Sequence, residues 1–340
     1  MAGPLAGVKI VEFEALGPAP LAGMMLAQQG AEVTLLRRPQ AGAFKARFEG
    51  QGVDAIDALK QVVTVDLKTP EGVALALDRV AAADALIEGN RPGVMERLGL
   101  GPAECFARNP RLVYARMTGW GQDGPLAQAA GHDLNYVALT GLLSLSSRNG
   151  AAPTIPPTIV GDASGALGLA FGVVNGVLAA RATGQGRVVD AAIVDIASML
   201  GGLAHLAHGM GHLTPGRPSL FLDSPFYEVY ACADGGFVSV AALEPQFYAL
   251  LLDKLGLADV DPRSQYDAAQ WPALKARLAA LFASQPRAHW CALLEGTDAC
   301  FAPVLTLEEA AAHRHMQARG ALRVEPGRLV AGVAPRDRPY

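Results

Sequence analysis

Three side chains suited to proton chemistry lie in one glycine-punctuated stretch. His132 and Asp133 are adjacent in Gly131-His132-Asp133-Leu134-Asn135-Tyr136, and Asp162 ends Val160-Gly161-Asp162. The stretch opens with Gly119-Trp120-Gly121-Gln122-Asp123-Gly124-Pro125. Glycines this dense make turns, which leave polar groups where the chain exits regular elements. Imidazole as a group titrates near neutrality and suits general acid–base work. A carboxyl can join it as an acid where burial disfavours the charged form. Asp133 and Asp162 also stand at the starts of helical stretches, where an aspartate caps free N–H groups, so cap and catalyst are both open to them. His132 taken alone reads as a loop histidine bonded to its neighbours. His205, His208 and His212 make no metal motif, because only His208 and His212 stand four apart and no acid lies between them. No metal is expected.

The elements that must position these residues alternate at α/β spacing. Residues 8–12 read as a strand, 21–29 as a helix and 31–36 as a second strand. Further strands are expected at 62–67, 85–87 and 112–117. Thr69-Pro70-Glu71 opens a helix to about residue 82, with a cap, a first-turn proline and an acid at the positive end. A short helix follows at 102–108. Each polar loop follows a strand, which predicts a Rossmann-like, largely parallel, doubly wound sheet with ligands at its carboxyl edge. The glycine fingerprint of dinucleotide binding is missing, so nicotinamide and flavin are disfavoured. Arg37 and Arg38 leave the second strand at that edge, either to meet phosphate or as a solvated strand exit. Residues 133–145 read as helix, and prolines at 153–157 interrupt the chain before Asp162.

Residues 164–181 form a nearly apolar helix carrying Gly165, Gly168, Gly172 and Gly176. Glycine costs helix stability, so this spacing predicts close packing, and the apolar run is short enough to read as buried rather than membrane-spanning. A strand at 187–191 and a helix at 195–210 follow. Composition then shifts to Gly, Pro, Ser and Thr over 211–223. Beyond it, a hairpin (226–232 and 237–241) precedes helices at 245–255, 271–282, 287–294 and 307–313. The expected division is a large domain over 1–210, a linker over 211–224, a smaller α+β domain over 225–319, and an irregular segment, 320–340, packing back on the large domain.

A chain of 340 residues with 51% apolar content holds a sizeable core and is not disordered. With 28 basic and 32 acidic residues and no basic run, nucleic acid is not an expected partner. Cys105, Cys232, Cys291 and Cys300 form no CxxC pair and read as reduced thiols. No apolar signal segment follows a basic start, so a soluble cytoplasmic protein with no membrane partner is expected.

Further short motifs accompany the central stretch: Gly3-Pro4-Leu5-Ala6-Gly7, Glu88-Gly89-Asn90-Arg91-Pro92-Gly93, Arg97-Leu98-Gly99-Leu100-Gly101 and Leu243-Glu244-Pro245-Gln246-Phe247-Tyr248. Their order and spacing, over nearly the whole chain, resemble the α-methylacyl-CoA racemases of the family III CoA-transferase (CaiB/BaiF-like) superfamily. The resemblance implies an interlocked homodimer, with each active site between the large domain of one chain and the small domain of the other. It implies substrates that are CoA thioesters with a 2-methyl branch, interconverted between 2R and 2S through an enolate-like intermediate. It implies no metal or redox cofactor, the CoA being part of the substrate. Carried over by position, His132 and Asp162 resemble the two acid/base groups, and Glu244 the carboxylate that pairs with the histidine from the partner subunit. Arg38, Val65, Asp66, Leu67, Lys68, Glu88, Gly89, Asn90, Arg91 and Arg97 resemble the CoA-binding surface. Gly131, His132, Asp133, Leu134, Asn135 and Tyr136 resemble the wall around the thioester.

Two alternatives follow from the same residues. In the transferases of the superfamily the residue matching Asp133 is the nucleophile, usually after an aromatic residue, whereas here His132 precedes it, as in the racemases. A noncatalytic acyl-CoA-binding protein is the second. Residues 43–64 depart from the family pattern, with Ala58-Leu59-Lys60-Gln61 where asparagine and arginine are usual.

Overall fold

The computed structural model describes residues 3–40, 42, 46–47, 53–147, 151–214 and 216–336. The divergent segment's residues 43–45 and 48–52 lie outside these, as do residues 337–340. The chain divides into two units, Met1–Gly202 with Val333–Tyr340, and Leu203–Gly332.

In the first unit, apolar runs at α/β spacing become the strands β1 (Lys9–Phe13), β2 (Glu32–Arg37), β3 (Gln61–Thr64), β4 (Ala85–Glu88), β5 (Val113–Thr118) and β6 (Arg187–Ala192). They form one sheet in the order β3-β2-β1-β4-β5-β6, parallel throughout. β4 and most of β5 are buried on both faces, which is why they read as mainly apolar runs, broken by Glu88 at the end of β4 and by Arg116 within β5. The order turns back between β1 and β4, the kind of switch point at which open α/β sheets bind ligands. The helices are α1 (Pro18–Gln28), α2 (Pro70–Ala81), α3 (Val94–Arg97), α4 (Pro102–Arg108), α5 (Asp133–Leu139), α6 (Ser164–Thr183) and α7 (Ile193–Leu200). Ala22 and Leu26 of α1 and Leu169 and Val173 of α6 share one core with Ile10, Ile87 and Val113. Ala76, Val80 and Cys105 of α2 and α4 share another with Val11, Leu86 and Tyr114.

Local signals explain the helix ends. Thr69 caps α2, its Oγ1 accepting from Gly72 N at 3.1 Å. The α6 glycines permit the close approach expected of them. A Cβ on Gly168 would fall 2.5 Å from Ile196 Cδ1, and one on Gly176 would fall 2.6 Å from Val113 Cγ1. Helix Ile159–Thr183 is long and apolar enough to cross a membrane by length and composition, but Leu169, Val173 and Val177 are built into the sheet core.

Three sequence expectations change. The helix expected over 133–145 stops at Leu139, because Gly141 takes a left-handed φ of 81°, and a 3₁₀ turn, Leu142–Ser146, follows. The helix expected over 195–210 is two, α7 and α8 (Gly202–Gly209), broken at Gly201-Gly202, where the two units divide. The tail expected to be irregular carries an antiparallel hairpin.

The second unit holds an antiparallel sheet, β7 (Tyr227–Ala231), β8 (Phe237–Ala241) and β9 (Phe301–Val304), in that order. The helices α9 (Pro245–Lys254), α10 (Trp271–Phe282), α11 (Arg287–Leu294), α12 (Leu307–Ala312) and α13 (Arg314–Arg319) belong to it. Phe226, Tyr248, Trp271, Phe282 and Trp290 build its core. Its hairpin, β10 (Leu322–Glu325) and β11 (Arg328–Ala331), turns at Gly327, whose φ is 75°. In the first unit, Gln29 Nε2 donates to Pro335 O at 2.8 Å.

Lys60 is wholly internal. Its Nζ meets Glu12 Oε1 at 2.7 Å, Pro20 O at 2.9 Å and Asp57 Oδ1 at 3.1 Å. The substitution that set residues 58–61 apart in sequence therefore forms a buried ion pair, and Lys60 is not part of a ligand surface.

Candidate active site

His132 is the N-cap residue of α5, with extended backbone. Its N–H donates to Asn135 Oδ1 at 3.1 Å, and its side chain lies on an exposed position. Asp133 begins the helix and is buried. Its carboxylate caps a neighbouring turn instead of its own helix. Oδ1 accepts from Gly161 N at 2.9 Å and Asp162 N at 2.8 Å, and Oδ2 accepts from Thr158 N at 3.2 Å.

Asp162 lies in a π-helical turn, Ile159–Ala163, directly before α6. It is half-buried and stands one residue before Ala163, the N-cap of α6, where it makes no capping hydrogen bond among the described residues. Burial is the main cause that raises the Asp162 carboxyl above its ordinary range; Asp133 adds to this and His132 opposes it. Asp133, the residue after His132, takes the Asp162 N–H, so the two residues named from sequence stand on adjoining turns. Gly17, at the start of α1, closes another side: a Cβ there would be 3.3 Å from Asp162 Oδ2, and the glycine φ is 68°. The nearness of Gly17 to Asp162 spans a chain separation that no local pattern carries.

Tyr136 holds the two glycine loops together. Its hydroxyl donates to Gly131 O, and its ring stands edge-on to Trp120 at 4.7 Å. A Cβ on Gly119 would fall 2.0 Å from Tyr136 Cζ, so glycine is required where the ring lies. Burial and then Asp162 raise the Tyr136 hydroxyl, while Arg91 opposes them. Leu134 and Asn135 are exposed on the same helix.

The residues expected on the CoA surface separate into outer and inner groups. Lys68, Arg91 and Arg97 are exposed. A groove of about 510 Å³ is floored by Leu67, Val73, Leu77 and Leu98, with Lys68 and Arg97 among its lining. Asp66 is exposed and its Oδ1 accepts from Lys68 N at 3.0 Å, whereas Val65 is in the core. Arg38 is half-exposed, with Nε 3.0 Å from Glu14 Oε2. Arg37 instead meets Asp57 at 2.9 Å. Glu88, expected on the ligand surface, is fully buried: Oε1 takes Arg116 Nε at 2.9 Å and Oε2 takes Asn90 N at 2.7 Å. Burial pushes its carboxyl up against the pull of the Asn90 N–H and Arg116. Arg116 also reaches Glu96 at 2.8 Å, so it ties Glu88 and Glu96 together across the segment between them. Gly89 leaves space for Ala15, whose Cβ would be 2.9 Å from an added one. Arg116 was invisible in sequence, being one charge inside an apolar strand.

Glu244 is the N-cap residue of α9 in the second unit, exposed, and its carboxylate makes no hydrogen bond or ion pair among the described residues. No group of three or more His, Cys, Asp or Glu side chains among the described residues is arranged to hold a metal ion.

A six-stranded parallel sheet with a switch point, and His132, Asp133 and Asp162 gathered where two helices begin, define an α/β protein of the doubly wound class. The chain matches CoA-transferase family III over residues 5–332 and belongs to that family. It is 40% identical over 338 residues to alpha-methylacyl-CoA racemase of Mus musculus, covering 98% of this chain and 86% of that one. It is 39% identical over 320 residues to alpha-methylacyl-CoA racemase of Homo sapiens, covering 93% and 82%. The solved structure of a CAIB/BAIF family protein from Brucella suis superposes with a TM-score of 0.82 at 25% identity, covering 99% of this chain and 93% of that one.

Proposed function

We propose that this chain interconverts the 2R and 2S forms of 2-methylacyl-CoA thioesters by 1,1-proton transfer. A thioester acidifies its α-proton because the resulting charge spreads onto oxygen. Moving that proton between faces needs a base on one side of C2 and an acid on the other. His132 and Asp162 take these roles and exchange them with substrate configuration. The enolate-like oxygen is served by a backbone N–H at the start of α5. The observation that supports this reading is that the Asp133 carboxylate, next to His132, is occupied by backbone N–H groups of the turn that carries Asp162. The near-full-length likeness to two racemases supports it.

The CoA moiety is proposed to lie along the groove, its phosphates near Arg38, Lys68, Arg91 and Arg97 and its adenine on the apolar floor. Glu88 contributes indirectly, by shaping the Asn90–Arg91 segment. The reaction is proposed to need no metal or redox cofactor. A second copy of the chain is the proposed partner. Phe171 of α6 is 64% exposed and Leu203 of α8 is 82% exposed, among further apolar side chains on those helices, and faces of this kind fit an obligate interface. Glu244 of the partner is proposed to pair with His132.

The test is a single-epimer 2-methylacyl-CoA incubated with the protein in deuterium oxide without an acceptor acid. Deuterium at C2 with loss of epimeric purity is the expected result. Transfer of labelled CoA to a free acid without exchange would favour the transferase instead. Binding with neither would leave a carrier of acyl-CoA.

A further inference from the structure

Asp133 is buried, and its carboxylate accepts from one short segment of backbone: Thr158 N, Gly161 N and Asp162 N. That segment is conformationally costly. Thr158 takes a left-handed φ of 62°, and Ala163 N reaches back to Thr158 O at 2.9 Å to close the π-helical turn. Backbone of this kind persists only where its surroundings over-determine it. Gly161 makes the tie feasible, since a Cβ there would fall 2.4 Å from Asp133 Oδ1. The carboxylate is thus engaged through both oxygens, and attack on a thioester carbonyl would require it to abandon the turn that presents Asp162.

The same tie puts a negative charge beside Asp162. The elements packed on its turn contribute few others. From α5 and its cap come His132, Asp133 and Tyr136. Helix α1 carries no titratable side chain, α6 carries Arg181 at its far end, and α7 carries Asp195, whose effect falls on Asp190. Arg91 reaches Tyr136 from outside these elements.

We infer that Asp133 is the positioning residue of Asp162: its carboxylate ties down the turn that presents Asp162, sets an anion beside it, and does not attack the thioester. The role rests on the racemase reading of the site. It agrees with the direction of the Asp162 carboxyl, which Asp133 raises after burial has done so.

Asp133→Asn keeps the shape and an acceptor oxygen for Gly161 and Asp162 while removing the charge and the acceptor for Thr158 N. Asp133→Ala removes the charge and every acceptor. Deuterium exchange at C2, measured as kcat/KM against pH, separates the two contributions. Without the neighbouring anion Asp162 gives up its proton more readily, so the acid limb of Asp133→Asn is expected at lower pH than in wild type, with either epimer. Exchange by Asp133→Ala is expected to fall on the order of 100-fold, the scale of a misplaced catalytic group, with equilibrium binding of the thioester retained. Adding Thr158→Gly to Asp133→Ala relieves the left-handed strain and is expected to recover thermal stability without restoring the acid limb. An acid limb in Asp133→Asn that coincides with wild type overturns the role. So does wild-type transfer of labelled CoA to a free acid that Asp133→Asn loses. Wild-type protein that exchanges no deuterium overturns the racemase reading itself, and with it this role.

Discussion

His132 and Asp162 would divide one proton transfer between two unlike groups, and each has a distinct test. Replacing either by alanine is expected to lower exchange by roughly 10²–10⁴-fold, the usual contribution of a positioned acid or base, with thioester binding retained in an equilibrium assay. Near wild-type turnover in either purified variant would remove that residue from the reaction. Asp162 also carries a stability signature. A carboxyl raised in the fold is favoured when protonated, and that contribution is lost as pH rises through its folded pKa. Asp162→Asn cannot ionise, so its melting temperature is expected to exceed that of wild type at neutral and alkaline pH, and to approach it on acidification. Both aspartates and the histidine were legible as residue types between glycines. Which aspartate would be tied up was not, because Asp133 meets Gly161 and Asp162 across 28 and 29 residues of sequence.

Helix α6 illustrates what a pattern conveys at the scale of one element. Its glycine spacing predicted close approach, and the approach is to Ile193, Ile196, Val189 and Val113. Gly168→Leu or Gly176→Leu is therefore expected to cost about 1–3 kcal/mol through overpacking, read by chemical denaturation. An unchanged midpoint would mean that the helix can shift aside. The loop before β3 taught the opposite lesson. Its departure from family pattern at 58–61 suggested an altered ligand surface, yet Lys60 is sealed against Glu12 and Asp57. Removing one partner from a buried charge network is costly, so Lys60→Met is expected to destabilise by about 3–5 kcal/mol. Intact stability would show that water or relaxation takes over the charge. The same logic separates Glu88 from the exposed cations beside it: sequence placed it in a binding motif, while burial made it the support for Asn90 N–H.

At the scale of the whole molecule, Glu244 and His132 belong to different units, and the proposed site draws them from different chains. His132→Ala and Glu244→Ala are each expected to be impaired alone. Mixed under conditions that allow subunits to exchange, they would form dimers with one site carrying both native residues. Activity is then expected to rise toward about a quarter of wild type under random pairing. No rise after proven subunit exchange would place the pair within one chain or separate them altogether. By itself the sequence determined the α/β class, the helix and strand order and the residue types able to move a proton, because these depend on local periodicity, caps and turns. Tertiary structure decided which of those residues face solvent and which face the interior. It turned Asp133 toward backbone, buried Glu88 and Lys60, and brought Gly17 beside Asp162. Burial and charge neighbours arise from contacts between distant segments, and no local pattern encodes them.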